Sequence, residues 1–365
     1  MIPMVVKEVR QETSETVSLL LEHVPGHQEV LQYQPGQYIT VKWKEGDKEF
    51  RRSYSISSIP EDPYLSITIK EMSGGKISPL LARNIKPGDI IEILPPEGRF
   101  TANFGPENKR NIFLIGAGSG ITPLISIART VLEKEPRSSV ILLYGSRSQE
   151  EIIFKNKLDE IENKYAGQIF VYHTLSKPEG GGLMKSLFGK KKSEWTGLKG
   201  RIRPSQIEQI LEKHPGNKKN DLIFICGPGD LIEMAEKTLL SLGIDEKTIK
   251  KEFFTPPSDE ADNVTKPFEK KETGTSSSVI VHLRGERIEI QVTNKTILDT
   301  LLDQGYDAPY SCHSGACATC MAKVKQGQVE MDACFALSDK EVENGYILTC
   351  QSHPLTSIVE VSYDE

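Results

Sequence analysis

The segment Tyr310–Cys320, YSCHSGACATC, places three of the chain's six cysteines within nine residues. These are Cys312, Cys317 and Cys320, and Cys350 follows in the segment ILTCQSHP. Such a group could form disulfides, hold a metal or attack a substrate. The spacing and the rest of the chain decide between these chemistries.

Composition argues against disulfides. The chain has 365 residues, with 37% hydrophobic and 26% charged residues and a net charge of −6, which is typical of a globular protein of two or three domains. The first twenty residues lack the basic and apolar runs of a signal peptide, and no stretch is apolar enough to span a membrane. We therefore expect a cytoplasmic protein, in which disulfides are rare, with no nucleic-acid or membrane partner.

The cysteine spacing indicates an iron–sulfur cluster. C-x4-C-x2-C with a distant fourth cysteine is the ligand pattern of plant-type [2Fe-2S] clusters, whereas zinc sites favour two C-x2-C pairs. Small residues within the loop allow its backbone to approach the sulfurs. Cys334 falls outside the pattern and is expected to be a buried small hydrophobic residue. The predicted metal ligands are Cys312, Cys317, Cys320 and Cys350.

The chain divides into zones that differ in apolar–polar periodicity and composition. Residues 1–105 alternate short apolar–polar runs with turns, which predicts an antiparallel β-barrel. Residues 106–256 alternate apolar strands with helical patterns, which predicts an α/β domain with a parallel sheet. Residues 257–278 indicate an exposed linker, and residues 279–365 form a third domain around the cysteines.

The third domain resembles plant-type ferredoxins. The resemblance lies in PYSCHSGACATCMAKVKQGQVEM and LSDKEVENGYILTCQSHP and covers the whole zone. It implies an α+β fold of the β-grasp type. A [2Fe-2S] cluster passes one electron at a time, whereas a nicotinamide delivers two as hydride, and a flavin connects the two chemistries. The rest of the chain should therefore bind a flavin and a nicotinamide.

The first zone resembles the flavin domain of ferredoxin-NADP reductase-like proteins, through RRSYSISS. The resemblance implies that Arg52 holds a flavin phosphate, that Tyr54 lies against the flavin ring, and that Ser55 hydrogen-bonds near the reactive nitrogen. Downstream, SITIKEMSGGKISPLL and PPEGRF resemble the FAD-using branch, so we expect FAD rather than FMN. The predicted flavin-binding residues are Arg52, Ser53, Tyr54, Ser55, Thr68, Ile69, Lys70, Gly74, Gly75, Lys76, Ile77 and Ser78.

The second zone carries IGAGSGITP between a strand and a helix. Its glycines permit a tight turn and close backbone approach, and the helix N-terminus favours an anion. The run departs from strict G-x-G-x-x-G, because Thr122-Pro123 stands where the last glycine would be, but it resembles the nucleotide loop of the same reductases. The predicted residues of this loop are Gly116, Gly118, Ser119, Gly120, Thr122 and Pro123.

Two further segments complete the resemblance: Cys226-Gly227-Pro228, which would face the nicotinamide, and KEFFTPP, whose Glu252 and Phe254 match a segment near the flavin. The predicted catalytic residues are Ser55, Cys226 and Glu252. At the end of the second strand of this zone, Ser146 and Arg147 stand where an acid would hold the ribose 2′-hydroxyl of NADH. Since arginine suits a 2′-phosphate, we expect NADPH, with NADH as the alternative.

In the order flavin, nicotinamide and ferredoxin, the motifs most resemble reductase subunits of phenylacetyl-CoA epoxidase systems. The resemblance implies electron transfer from NADPH through the flavin and the cluster to a partner oxygenase with a di-iron centre. The same parts could serve another hydroxylase, a desaturase or a nitrosative-stress acceptor. A non-enzymatic redox sensor is the alternative of a different class.

Overall fold

The computed structural model forms two compact units. The first comprises Met1–Phe50 and Tyr54–Lys251, and the second comprises Arg51–Ser53 and Glu252–Glu365. The residues that the structure describes are 1–26, 31–46, 48–72, 74–178, 195–216, 220–255 and 276–365. Most of the predicted linker, 257–278, lies outside these ranges, and the predicted domain boundaries stay predictions.

The first unit begins with a six-stranded antiparallel sheet in the order β4-β3-β6-β1-β2-β5. An additional bridge from Ile56, just after β4, to Ile67 of β5 closes this sheet into the expected barrel. One helix, α1, follows β5. The bounds are β1 Ile2–Thr13, β2 Thr16–His23, β3 Tyr38–Glu45, β4 Lys48–Ser55, β5 Leu65–Lys70, β6 Ile90–Ile93 and α1 Ile77–Asn84.

Alternation of apolar and polar residues places one face of the barrel strands inside. In β1, Ile2, Met4 and Val6 are buried, whereas the residues between them are partly exposed. The turn before β3 requires glycine, because Gly36 has φ +92° and a Cβ there would lie 1.9 Å from the carbonyl oxygen of Phe100.

The rest of the first unit is an α/β region with a six-stranded sheet in the order β10-β9-β8-β7-β11-β12, of which β12 belongs to this unit only as far as Lys251. Strands β7 to β11 are parallel. The longest described helix, α2, has 14 residues. No helix in the described ranges combines the length and apolar character needed to cross a membrane. The bounds are β7 Asn111–Ala117, α2 Ile121–Lys134, β8 Ser139–Ser146, α3 Lys155–Lys164, β9 Ile169–Leu175, β10 Leu198–Lys199, α4 Pro204–Lys213, β11 Leu222–Pro228, α5 Gly229–Ser241 and β12 Ile249–Thr255.

Helix α2 fastens the α/β region to the barrel. Ser126, fully buried, donates to the carbonyl oxygen of Ser58 at 2.6 Å. One turn later Arg129 makes a bidentate pair with Asp62, at 2.5 and 2.7 Å. Ser58 and Asp62 lie just beyond the carboxyl end of β4. We call Ser58, Asp62, Ser126 and Arg129 the α2 clamp; it joins the barrel to the α/β region by short, largely buried polar contacts.

The second unit has a five-stranded mixed sheet in the order β14-β13-β19-β15-β17, in which β13 and β19 are parallel. Helix α6 contributes Ile297, Leu298 and Leu301 to the apolar core of this unit. The arrangement is the β-grasp fold expected from the sequence. The bounds are β13 Ser277–Leu283, β14 Glu286–Val292, α6 Ile297–Asp303, β15 Met321–Gln326, β16 Val329–Met331, α7 Asp339–Glu343, β17 Tyr346–Leu348, β18 Ser352–Pro354 and β19 Ile358–Ser362.

The α2 clamp predicts a pH-dependent loss of stability in Asp62→Asn. Burial alone would raise the pKa of Asp62, but hydrogen bonds from Arg129 and from the Ile59 N–H lower it below its usual 3.8. Its stabilising contribution is therefore present above pH 3.8 and is lost as the pH falls through the lower pKa of the folded state. We expect the substitution to lower the free energy of unfolding by about 2 kcal/mol at pH 7 and by less in acid.

Urea denaturation at pH 7, and at the lowest pH at which both proteins remain folded, measures this difference. Arg137→Gln is the matched control, since its pair with Glu107 is largely exposed and should contribute less than about 0.5 kcal/mol. Equal stabilities of wild type and Asp62→Asn at pH 7 would contradict the role of the clamp.

Candidate functional site

The candidate nucleotide site lies at the carboxyl edge of the parallel sheet. In the sheet, β7 has β8 as its neighbour on one side and β11 on the other. The strand order therefore reverses direction at β7. Ligands of open parallel sheets bind at such a switch point, because the two loops leave the sheet in opposite directions. Gly116 at the end of β7 is paired with Cys226 at the end of β11, so the two predicted loops are neighbours.

The loops approach each other so closely that a side chain would not fit. A Cβ at Gly120 would lie 2.1 Å from the carbonyl oxygen of Cys226 and 2.9 Å from the nitrogen of Gly227. Gly118 has φ +55°, in the left-handed region, and its carbonyl accepts a hydrogen bond from Tyr144 at 2.9 Å. These glycines are therefore required by the crevice itself.

Two helices begin at this crevice. Helix α2 starts at Ile121 and α5 at Gly229, each directly after a predicted loop. The Thr122 hydroxyl donates to the carbonyl of Ser119 at 2.9 Å, which closes the first turn, and Pro123 lies buried within it. Free N–H groups and the positive ends of two helix dipoles suit a pyrophosphate. Pro228 immediately precedes α5 as its N-cap residue.

The end of β8 offers groups for the far end of a dinucleotide. The Oγ of Ser146 is buried and has no hydrogen-bond partner within the described part of the chain. Arg147 beside it is exposed. An unsatisfied buried hydroxyl next to an exposed guanidinium fits a ribose that carries a hydroxyl or a phosphate. The Cys226 side chain, in contrast, is fully buried, and its predicted catalytic role stays a prediction.

The predicted flavin residues of the barrel differ in their exposure. Tyr54 is partly exposed and packs against the barrel core, and Ser55 is buried. Thr68 shares hydroxyl contacts with Ser18 and Ser57, at 2.8 and 3.0 Å. On the same strand, the side chain of Ile69 is fully buried in the core and that of Lys70 is partly exposed. Ile69 could therefore reach a ligand only through its backbone.

The second predicted flavin element is a glycine turn that leads into α1. Gly74 has φ +75° and open space around it. Gly75 donates from its N–H to the carbonyl of Met72 at 2.9 Å, and the N–H of Met72 donates to Ser78 Oγ at 3.0 Å. Lys76 is exposed and Ile77 buried. A compact turn with a lysine at a helix start suits the flavin pyrophosphate.

Four other predicted residues belong to the second unit and are partly buried. They are Arg52, Ser53, Glu252 and Phe254. The R-x-Y-S motif is thus divided between the two units, with Tyr54 and Ser55 in the first.

The cysteine loop is held in an unusual backbone conformation. His313 and Gly315 have φ of +55° and +70°. A Cβ at Gly315 would lie 2.8 Å from the carbonyl oxygen of Ala333. The carbonyl of Gly315 accepts the N–H groups of Phe335 and Ala336, both at 3.0 Å. The backbone groups of Ala333, Phe335 and Ala336 therefore support the loop from outside.

The four predicted cysteine ligands converge. All are free thiols; Cys320 and Cys350 are buried, and Cys312 and Cys317 are partly exposed. Interactions with the thiols of Cys317 and Cys350 lower the pKa of Cys312, and interaction with Cys350 lowers that of Cys320. Among the described residues no three ligating side chains surround the position of a single metal ion. Interacting thiols from the two cysteine segments fit the four ligands of the predicted [2Fe-2S] cluster.

Sequence reasoning missed three residues that hold these loops. Tyr144 anchors the nucleotide loop, as described above. Thr349 donates from its N–H and its hydroxyl to the carbonyl of Cys320, at 3.1 and 3.0 Å. The buried amide of Gln351 joins the two cysteine segments. Thr349 and Gln351 flank Cys350. Their position next to a predicted ligand is the feature of the sequence that could have identified them.

A cavity of about 680 Å³ lies beside the α2 clamp and contains none of the predicted residues. Its lining includes Asp62 and Arg129, which are already paired with each other, and charges of both signs. We therefore do not assign a cofactor to it.

Comparison with known proteins agrees with the order of the three sites. Residues 4–102 match the oxidoreductase FAD-binding domain, residues 114–237 the oxidoreductase NAD-binding domain, and residues 281–355 the 2Fe-2S iron–sulfur cluster binding domain. The expected fold classes and the expected FAD-binding, NAD-binding and [2Fe-2S] domains are thereby confirmed. The preference for NADPH stays a prediction.

Several relatives are similar over nearly the whole chain. One component of the 1,2-phenylacetyl-CoA epoxidase of Escherichia coli is 32% identical, with 98% of this chain and 96% of the relative covered. The ferredoxin reductase component of 3-ketosteroid-9-alpha-monooxygenase from Rhodococcus rhodochrous is 30% identical, covering 98% and 95%. The solved structure of phthalate dioxygenase reductase has the same fold, with a TM-score of 0.57, 21% identity, and 99% and 97% covered.

Sequence identity of 30% or more over nearly the full length shows that these proteins belong to one family. The chain therefore belongs to the family of flavin and iron–sulfur oxidoreductases that act as reductase components of oxygenases.

Proposed function

We propose that this chain transfers electrons from NADPH through FAD and a [2Fe-2S] cluster to the oxygenase component of a phenylacetyl-CoA epoxidase, in phenylacetate catabolism. The observation that carries the proposal is the full-length similarity to the Escherichia coli epoxidase component, at 32% identity over 98% of the chain. The convergence of four thiols at the end of the chain supports the cluster as the exit for electrons.

The chain's own residues have distinct tasks in this proposal. Gly118, Gly120 and the starts of α2 and α5 bind the nucleotide pyrophosphate, because a cradle without side chains lets N–H groups reach it. Ser146 and Arg147 bind the ribose and its 2′-phosphate. Cys226 forms one wall of the crevice beside the nicotinamide, because its carbonyl oxygen lies close to Gly120 of the opposite loop.

On the flavin side, Tyr54 presents a ring face and Ser55 a hydroxyl to the flavin. Arg52 and the glycine turn at Gly74 hold its phosphates. The roles predicted for Glu252 and Phe254 stay predictions. When bound, the flavin accepts two electrons as hydride and releases them singly to the cluster. The cluster is held by Cys312, Cys317, Cys320 and Cys350.

A second candidate function has nearly equal support. The 3-ketosteroid monooxygenase reductase component is 30% identical over 98% of this chain, so a steroid hydroxylase could be the acceptor. A redox sensor without turnover is disfavoured by the matching FAD-binding and NAD-binding domains. If the purified protein failed to reduce cytochrome c or a dye with NAD(P)H, the reductase function itself would be rejected.

Reconstitution distinguishes the two acceptors. We expect NADPH-dependent product formation when the chain is mixed with the oxygenase component of phenylacetyl-CoA epoxidase, at a rate well above that with the oxygenase component of 3-ketosteroid-9-alpha-monooxygenase. Coupling is measured as product formed per NADPH consumed. Coupled turnover with the steroid oxygenase alone would contradict the epoxidase assignment.

Substitution of Arg147 tests the coenzyme. Because Arg147 is exposed beside the buried Ser146 hydroxyl, we expect Arg147→Gln to raise KM for NADPH roughly tenfold and to leave KM for NADH almost unchanged. Steady-state dye reduction with both coenzymes gives these constants. Arg137→Gln, before the opposite end of β8, is the control and should change neither. An equal effect on both coenzymes would argue against recognition of a 2′-phosphate.

Cys350→Ser tests the electron path. We expect NADPH to reduce the flavin at the wild-type rate, whereas cytochrome c reduction through the cluster falls at least tenfold because one of four ligands is lost. Stopped-flow absorbance separates these two steps. The matched control is Cys334→Ser, since Cys334 lies outside the ligand set and should keep both rates. Full cytochrome c reduction by a Cys350→Ser protein without its cluster would show that the cluster is not the obligatory exit.

A further inference from the structure

Gln351 is a buried polar residue with no role in the proposed reaction so far. It follows Cys350 in the short 3-10 turn Thr349–Gln351 and is only 5% exposed. A long amide side chain at such a position must find hydrogen-bond partners inside the protein, because an unsatisfied buried amide is costly.

The partners of Gln351 are the two cysteine segments themselves. Its Nε2 donates to the carbonyl of His313 at 3.0 Å and to the carbonyl of Cys350 at 2.9 Å. The same nitrogen lies 3.7 Å from the Sγ of Cys350. The backbone carbonyl of Gln351 accepts the N–H of Asp332 at 2.8 Å, which fixes the residue from the other side.

The contact with His313 reaches a strained part of the cysteine loop. His313 has φ +55°, which is uncommon for a residue other than glycine and needs support from its surroundings. The aliphatic part of Gln351 also crosses the loop, since a Cβ at Gly315 would lie 3.4 Å from its Cγ. One side chain thus spans the loop between Cys312 and Cys317 and ties it to Cys350.

We propose that Gln351 is a positioning residue that sets the geometry and the reduction potential of the [2Fe-2S] site. The inference rests on the proposed function and deepens it. Reduction adds one electron to the cluster and increases its negative charge. The Nε2 group lies 3.7 Å from the Sγ of Cys350, so the positive end of the amide dipole stabilises that charge and raises the potential. The hydrogen bond to the carbonyl of His313 also fixes the loop of Cys312 and Cys317 relative to Cys350.

The test replaces Gln351 in the full-length protein loaded with FAD and cluster. Gln351→Met keeps the length of the side chain but removes both donors. We expect wild-type iron content, altered g-values in the electron paramagnetic resonance spectrum of the reduced cluster, and a lower midpoint potential. The equilibrium constant for reduction should fall roughly tenfold, which corresponds to about 59 mV for one electron. A spectroelectrochemical titration measures it.

The control is Gln304→Met, an exposed glutamine at the C-terminal end of α6, which should change neither the potential nor the spectrum. Gln351→Glu keeps the shape, removes the donors and adds negative charge, so its potential should lie below that of Gln351→Met. If Gln351→Met retains no iron, the titration of Gln351→Glu decides.

Wild-type potential and spectrum in iron-loaded Gln351→Met would overturn the inference, as would a Gln351→Glu potential at or above that of wild type. These results can be distinguished from a failure of the proposed function. In that case the wild-type protein itself would show no [2Fe-2S] spectrum or no reduction of the cluster by NADPH.

Discussion

The α2 clamp is the contact on which the first unit depends. Helix α2 begins at the nucleotide crevice, and its middle holds Ser58 and Asp62 through Ser126 and Arg129. Those two residues lie shortly after Ser55, at the end of the strand that carries the flavin motif. Because transfer of a hydride requires the donor and acceptor atoms to be held at near contact, a rigid link between the two binding elements serves the proposed reaction directly.

The cysteine site depends on a different kind of constraint. Three predicted ligands come from one loop, but that loop adopts left-handed backbone at His313 and Gly315. It is supported by Ala333, Phe335, Ala336 and Gln351. Such backbone is costly unless its surroundings hold it. The β-grasp core therefore does more than carry the loop: it supplies the contacts that keep four thiols facing one another. These contacts hold the geometry on which the proposed effect of Gln351 on the potential depends.

Much of the candidate site was predictable because its chemistry is local in the chain. The C-x4-C-x2-C loop, the glycines of IGAGSGITP and the turn at Gly74-Gly75 each predict a ligand through spacing and residue type. The supporting residues were not predictable in this way. Tyr144 and Thr349 act through partners 26 and 29 residues away, and Gln351 through a partner 38 residues away. No sequence pattern predicts a partner this distant for a tyrosine, a threonine or a glutamine in a strand or turn.

Residue order by itself determined the three fold classes, the order of the sites and the kind of cofactor each binds, because periodicity, glycine placement and cysteine spacing are properties of short segments. Only the tertiary structure decided that position 120 must be glycine, since the obstructing carbonyl belongs to Cys226 on another strand. It also decided that Ile69 belongs to the barrel core and that α2 joins the barrel to the α/β region. These features arise from packing between segments distant in the chain, and packing is set by the assembled core.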